Sequence, residues 1–270
     1  MAEPDQYFLG YRTAEQHRLQ RQAAEMADDS AWLFDQIGIA AGQSVVEVGC
    51  GPQGCLELLA ERVTASGRVI GVERSQDAVA MACQFVAGRE LMNVEVRHGD
   101  GGETGLPRAA FDAVTARLVL VNVPEPEQIV REAIALTRPG GTVAFHEAIW
   151  PMIIDPPLAA WDRLFEIMRS YAELNGIDLF IGRRLPRLLR NAGLREVQTR
   201  GLVHVYSVGQ SGRTLALDFT ENLSDRITEQ ALVSREELTD LKTLLRQHID
   251  DPDTYVTSCL LVQAWGRKAQ

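Results

Sequence analysis

Membrane-length apolar runs, paired cysteines, a basic leader and internal repeats are all missing from this 270-residue chain. Each absence removes a class of function. No apolar run is long enough for a membrane span, so no membrane partner is expected. Met1–Gln6 is acidic and polar, with no basic segment leading into an apolar one, so no secretory leader is expected. The 4 cysteines, Cys50, Cys55, Cys83 and Cys259, have neither CxxC spacing nor a histidine at ligand spacing. They are expected to be reduced thiols in a cytoplasmic protein, and no metal site is expected. Lysine is scarce, with only Lys242 and Lys268 among 27 basic residues, and no function is attached to that bias. Against 37 acidic residues the balance is a net charge of -10, which argues against nucleic acid as the main partner.

What is present is a globular composition, 46% hydrophobic and 24% charged, long enough for one large domain or two small ones. Thr13 with Gln16 has capping-box spacing before a helical stretch to about Met26, and a second short helix covers Trp32–Ile37. Compact apolar runs then alternate with helical ones. Strands are predicted at Ser44–Val48, Arg68–Val72, Val94–Arg97, Ala113–Ala116 and Thr142–Phe145, with helices at Leu56–Val63, from Ser75 to about Gly88, and at Glu127–Leu136. That order calls for a parallel, doubly wound α/β sheet covered on both faces. After Trp150 the alternation stops. A helix follows Pro156 and Pro157, a short one spans Gly182–Arg190, strands are predicted at Val197–Val208 and Tyr255–Trp265, and Ser234 with Glu237 caps another helix.

The chemistry is concentrated in Val45-Val46-Glu47-Val48-Gly49-Cys50-Gly51-Pro52-Gln53-Gly54, a strand running into a glycine-rich turn that opens a helix. Gly49, Gly51 and Gly54 spell GxGxxG, and Glu73 follows 19 residues beyond Gly54 at the end of the second strand, where a carboxylate accepts ribose hydroxyls. Glu47, two residues before the first glycine, puts negative charge where a pyrophosphate would be repelled and a cationic ligand favoured. Asp100, at the end of the third strand, is placed to accept from an adenine amino group.

With these residues the chain resembles the class I S-adenosylmethionine-dependent methyltransferases over most of its length. VVEVGCGPQG is similar to the family's first motif, GVER to its second with Glu73 on the ribose beside Arg74, and HGDG to its third with Asp100 and Gly101 near adenine. FDAVTARLVLVNV is similar to the fourth strand, whose Ala116 and Arg117 the resemblance places near the methionine part. RPGG at 138–141 matches the turn before strand five, with Pro139 and Gly140 at the centre of a type II turn. Gln53 is an extra residue relative to the commonest loop. The resemblance implies a Rossmann-like, doubly wound seven-stranded sheet with an antiparallel last strand and a helical lid. Its parts would be an N-terminal lid (1–43), a cofactor core (44–150), and a substrate lid with the last two strands (151–270). S-adenosylmethionine is the implied cofactor, and Tyr11 is expected to close over it.

For catalysis the leading polar candidates are His146 and Glu147, leaving strand five, since ligands bind at the carboxyl ends of the strands in such sheets. An imidazole of ordinary pKa about 6.5 accepts a proton readily near neutrality. His204, Tyr206, Tyr7 and Tyr11 are weaker catalytic candidates, and Tyr7, Trp161, Phe165, Tyr171 and His204 are the substrate-pocket candidates. Structural roles stay open beside these: Asp100 as a turn cap, the Trp161–Met168 face as core packing, and His146 and Glu147 as satisfied polar groups at a strand end. The implied activity is methyl transfer to oxygen, nitrogen or carbon of a lipophilic natural-product or isoprenoid-like small molecule. The alternatives are a cyclase or pericyclase on the same fold and an NAD-dependent oxidoreductase. A homo-oligomeric state is left open.

Overall fold

The computed structural model describes residues 13–270. Tyr7, Tyr11 and the capping side chain of Thr13 lie outside what is described. Seven strands form one sheet in the order β3-β2-β1-β4-β5-β9-β7. They are β1 (Ser44–Val48), β2 (Arg68–Glu73), β3 (Val94–His98), β4 (Phe111–Arg117), β5 (Thr137–Ile149), β7 (Arg195–Leu202) and β9 (Leu260–Arg267). The first five pair parallel, while β9 runs antiparallel to β5 and to β7. This is the doubly wound, Rossmann-like order expected, with its reversed last strand.

Successive residues of each strand face opposite sides, and the core divides accordingly. Val45, Val69, Ala113, Ala144 and Trp265 pack with α2 (Ala27–Ile37), α3 (Leu56–Val63) and α4 (Gln76–Gly88). Val46, Ile70, Val114, Val143 and Phe145 pack on the other face, where α5 (Pro126–Leu136), α6 (Ala159–Leu174) and α7 (Leu185–Asn191) lie. Truncating Phe145 to Ala there is expected to cost about 3–5 kcal/mol, from lost burial and the cavity left behind. No described helix is long and apolar enough to cross a membrane.

Several boundaries differ from the sequence reading. The predicted strand Val197–Val208 stops at Leu202, followed by a single bridge from Val205 to Thr257. The predicted strand Tyr255–Trp265 is broken: Tyr255–Val256 (β8) leaves the main sheet to pair with Ile154–Asp155 (β6). The Gly182–Arg190 helix divides into a single turn, Ile181–Arg183, and α7. α9 (Arg235–Ile249) is capped as expected, the Ser234 hydroxyl accepting from the Glu237 amide at 3.0 Å. The helix α8 (Leu215–Glu229) was not anticipated, although its buried Leu215, Phe219, Leu223 and Ile227 recur every four residues, the spacing of one helical face. With α1 (Thr13–Glu25), α8 forms a wall over the carboxyl ends of the strands.

Candidate active site

A cavity of about 390 Å³ opens at those carboxyl ends. Its floor is the glycine loop. Gly49, Gly51 and Gly54 have φ of 67°, 57° and 55°, a region that strains any residue with a Cβ. At Gly54 the approach is also close: a Cβ would sit 2.6 Å from the Cys50 carbonyl oxygen and 2.7 Å from Glu47 Oε2. Glu47 lies under the loop, both carboxylate oxygens accepting from the Cys55 amide at 2.9 Å, at the start of α3. Burial pushes its carboxyl up to about 7, the Arg117 charge and the Cys55 amide pulling the other way. Glu73 ends β2 with its two oxygens on two amides, Gly51 at 2.9 Å and Ser75 at 2.8 Å. Asp100 uses Oδ1 to accept from the Gly102 amide at 2.7 Å, a turn-capping bond.

Of the twelve residues expected at the cofactor, Glu47, Gly49, Gly51, Gly54, Glu73, Arg74, Asp100, Gly101 and Arg117 line this cavity. Gln53 does not: the loop's extra residue stays outside while Pro52 and Gly54 face inward. Nor does Ala116, which is buried in the sheet between its paired neighbours Val48 and Phe145. Tyr11 is not described.

The family model described as a methyltransferase domain matches residues 46–145, the span from the glycine loop through β5. Over that span the chain is similar to the methyltransferase domain of the class I S-adenosylmethionine-dependent enzymes. Demethylmenaquinone methyltransferase of Halalkalibacterium halodurans is 29% identical over 188 residues, 63% of this chain and 76% of the relative. An uncharacterized 37.1 kDa protein in transposon TN4556 of Streptomyces fradiae is 34% identical over 169 residues, 60% of this chain and 46% of that protein. Haemonchus contortus phosphoethanolamine N-methyltransferase 2, solved with S-adenosyl-L-methionine, superposes with a TM-score of 0.57 at 17% identity, covering 90% of this chain and 53% of the other. This chain therefore spans about half the length of the transposon relative and of the Haemonchus enzyme.

S-adenosylmethionine, the cofactor of the family, fits the residues present. A cationic sulfonium nucleoside meets three carboxylates, Glu47, Glu73 and Asp100, and the Glu73 oxygens each retain a lone pair beyond the amide they already accept from. Across the cavity the lining changes character. Leu19 of α1, Met26 between α1 and α2, Trp150, Met168 of α6, and Leu215 and Phe219 of α8 supply an apolar lining, with Gln16, Asn122, Asn175, Tyr206 and Ser258 as neutral polar groups. Arg18 and Arg226 are the cations of this half, and among the described residues no carboxylate of this half lines the cavity. Tyr206 faces inward with its phenol held above its ordinary pKa by burial.

The catalytic expectation needs correction. Neither His146 nor Glu147 lines the cavity. Strand alternation sends His146 under α2, in a row of directly paired residues, Arg117, His146, Gln263 and Arg200, on β4, β5, β9 and β7. Its ring is 1% exposed and neither nitrogen has a hydrogen-bond partner, and burial followed by the Arg117 charge lowers its pKa to about 3. Above the row, Arg117 donates to Ser30 Oγ at 2.9 Å and Gln263 Nε2 to the Asp29 carbonyl at 2.8 Å. Glu147 faces the opposite side, where its carboxylate accepts the amides of Val119, Leu120 and Val121 at 3.0, 2.8 and 3.1 Å. It caps the single helical turn Leu120–Asn122, and burial pushes it up to about 8 against those amides. Both therefore lie off the cavity wall, within the packing of the sheet.

The substrate-pocket residues divide likewise. Tyr171 lines the cavity. Trp161 does not: it sits ten residues earlier on α6, about 15 Å along the axis, and donates Nε1 to the Met152 carbonyl at 3.3 Å within the core. Phe165 stacks edge-on against Phe180, centroids 6.4 Å apart, outside the cavity. His204 Nε2 lies 2.6 Å from Asp29 Oδ2, so its role is to hold the first turn of α2. Gln16, Gln22, Asn175, Phe219 and Arg226 line the cavity without having been anticipated.

Proposed function

We propose that this chain transfers the methyl group of S-adenosylmethionine to a lipophilic small molecule of the quinol or natural-product type, acting in the cytoplasm. The observation that carries the proposal is the sorting of the cavity: carboxylates gather at the glycine-loop end, and apolar helices without a lining carboxylate cover the other. Glu73 holds the ribose hydroxyls, Asp100 the adenine amino group through its remaining lone pairs, and Glu47 and Arg117 the ammonium and carboxylate of the methionine end. The Gly49–Gly54 backbone lets the nucleoside approach. When bound, the cofactor supplies an activated methyl group whose departing sulfur needs no protonation. The protein's task is then to align the acceptor in line and exclude water, which α1, α6 and α8 do with Leu19, Met168 and Phe219.

An ammonium acceptor is disfavoured in a wall that carries Arg18 and Arg226 and, among the described residues, no lining carboxylate. A neutral or acidic acceptor suits it, as does the quinone after which the demethylmenaquinone methyltransferase relatives are named. The test is incubation with methyl-labelled S-adenosylmethionine and demethylmenaquinol, followed by solvent extraction. Label in the lipid phase with stoichiometric S-adenosylhomocysteine is expected. Label retained in the donor while the quinol is chemically altered would favour a cyclase-type reaction, and preferential binding of NAD would remove the assignment altogether.

A further inference from the structure

Gln16 stands out in the acceptor half. It lies on α1, is 3% exposed, lines the cavity, and its Oε1 has no hydrogen-bond partner. Buried polar atoms are nearly always paired, so an unpaired amide oxygen in a ligand cavity marks a position that a ligand group completes. Its neighbours are already engaged. Glu15 accepts from Arg18 at 2.6 and 2.8 Å and from Asn222 Nδ2 at 2.7 Å, and the Arg18 guanidinium lies over the Phe219 ring at 5.4 Å.

These ties also fix where on the wall Gln16 sits. Early α1 meets the middle of α8 through Glu15 and Asn222, while late α1 meets the chain before α8 through Glu25, which accepts from the Ser211 amide and hydroxyl at 2.9 and 2.8 Å. The two segments thus run in opposite directions, and Gln16 follows directly on the residue that meets the middle of α8, in the helical wall. Among the described residues, no carboxylate of that wall lines the cavity to attract an ammonium donor. A neutral hydroxyl is the complementary group, and because it both donates and accepts, it satisfies either orientation of the amide.

We propose that Gln16 selects a hydroxyl-bearing acceptor, its side-chain amide hydrogen-bonding the hydroxyl of an otherwise apolar molecule held between α1, α6 and α8. The inference rests on the acceptor half assigned above and narrows the substrate class to phenols, enols and alcohols with an apolar body. Gln16 is a specificity residue, and the methyl group need not go to the oxygen it holds.

The test uses the full chain saturated with S-adenosylhomocysteine and two probes of one shape, 4-hexylphenol and 4-hexylanisole, titrated by calorimetry. The phenol is expected to bind about tenfold more tightly, the most that one neutral hydrogen bond usually supplies. In Gln16→Met, which keeps length and removes the amide, the preference should fall below about twofold with S-adenosylhomocysteine affinity preserved. Gln16→Asn, which withdraws the amide by one methylene, should give an intermediate value and covers a failure of the Met variant to fold. An undiminished preference in both variants overturns the proposal, as does binding of neither probe to the loaded chain. Loss of S-adenosylhomocysteine affinity in Gln16→Met also overturns it, by moving Gln16 to the cofactor. Failure of the wild-type chain to bind S-adenosylhomocysteine at all would instead sink the methyltransferase reading.

Discussion

The Gly51 amide donates to Glu73 Oε2 at 2.9 Å, tying the glycine loop directly to the carboxylate at the end of the next strand. The second oxygen is held by Ser75, so the carboxylate is oriented before any ligand arrives. A group already fixed loses little entropy when it accepts ribose hydroxyls. Glu73→Ala removes both the acceptors and the loop tie. Charged hydrogen bonds contribute about 1.5–3 kcal/mol each, so S-adenosylhomocysteine affinity should fall by at least about 30-fold. Calorimetry on the folded variant checks this, and a loss under about threefold would take Glu73 out of the cofactor site.

With Glu47 in the proposed role at the methionine end, cofactor binding is expected to depend on pH. Its carboxyl is raised to about 7 by burial, so it is largely protonated in the free protein at pH 6. A methionine ammonium beside it favours the ionised form, so binding below pH 7 must release a proton. Affinity for S-adenosylmethionine should therefore rise between pH 5.5 and about 7.5 and level off above, by up to tenfold per pH unit. Titrations in buffers of different ionisation enthalpy would detect the released proton. Proton uptake, or affinity that declines over this range, would show that Glu47 does not face the ammonium.

The fold was legible because its signals are local. Val45 and Val46, or Ala144 and Phe145, are adjacent apolar residues on opposite faces, the mark of a strand covered on both sides. The cofactor half was legible for the same reason, since Gly49, Gly51, Gly54 and Glu73 sit on consecutive elements with fixed spacing. The acceptor wall was not. Gln16 enters the cavity because α1 docks on α8 through contacts such as Glu15 with Asn222, 207 residues apart, and no local pattern encodes that pairing. His146 and Glu147 show a different limit. Alternation places them on opposite faces, but which strand ends stay uncovered depends on where α2 and the turn Leu120–Asn122 come to rest.

His146 is expected to be dispensable for activity and to weaken the protein in acid. Its folded pKa near 3 lies below the ordinary value of 6.5, so below pH 6.5 the unfolded chain binds a proton that the folded chain does not. That difference costs stability as pH falls, up to about 1.4 kcal/mol per unit between roughly pH 6 and 4. His146→Leu removes the titration and two unpaired ring nitrogens. Its stability relative to wild type should increase steadily toward low pH in urea unfolding, with kcat/KM at pH 7.5 within about threefold of wild type. A folded His146→Leu protein with a hundredfold lower kcat/KM would restore the imidazole as a catalytic residue.

Glu147 should behave in the opposite way, as a residue whose loss unfolds rather than inactivates. Three backbone amides, those of Val119, Leu120 and Val121, converge on a carboxylate with 0% exposure, and the single helical turn they begin forms part of the cavity rim. Glu147→Leu matches the apolar surroundings but strands all three donors, each costing about 1–3 kcal/mol when buried without a partner, so a loss of at least about 3 kcal/mol is expected. Glu147→Gln keeps one acceptor oxygen and should lose less. Because the wild-type carboxyl is raised to about 8, its ionisation opposes the fold, and stability should decline as pH rises from the unfolded value of 4.5 through 8. That contribution should vanish in Glu147→Gln, leaving a flatter stability profile above pH 6.5. Urea midpoints across pH 5 to 9 separate the two effects. A Glu147→Gln protein of wild-type stability with no turnover, binding S-adenosylhomocysteine normally, would show that the carboxylate reaches the acceptor after all.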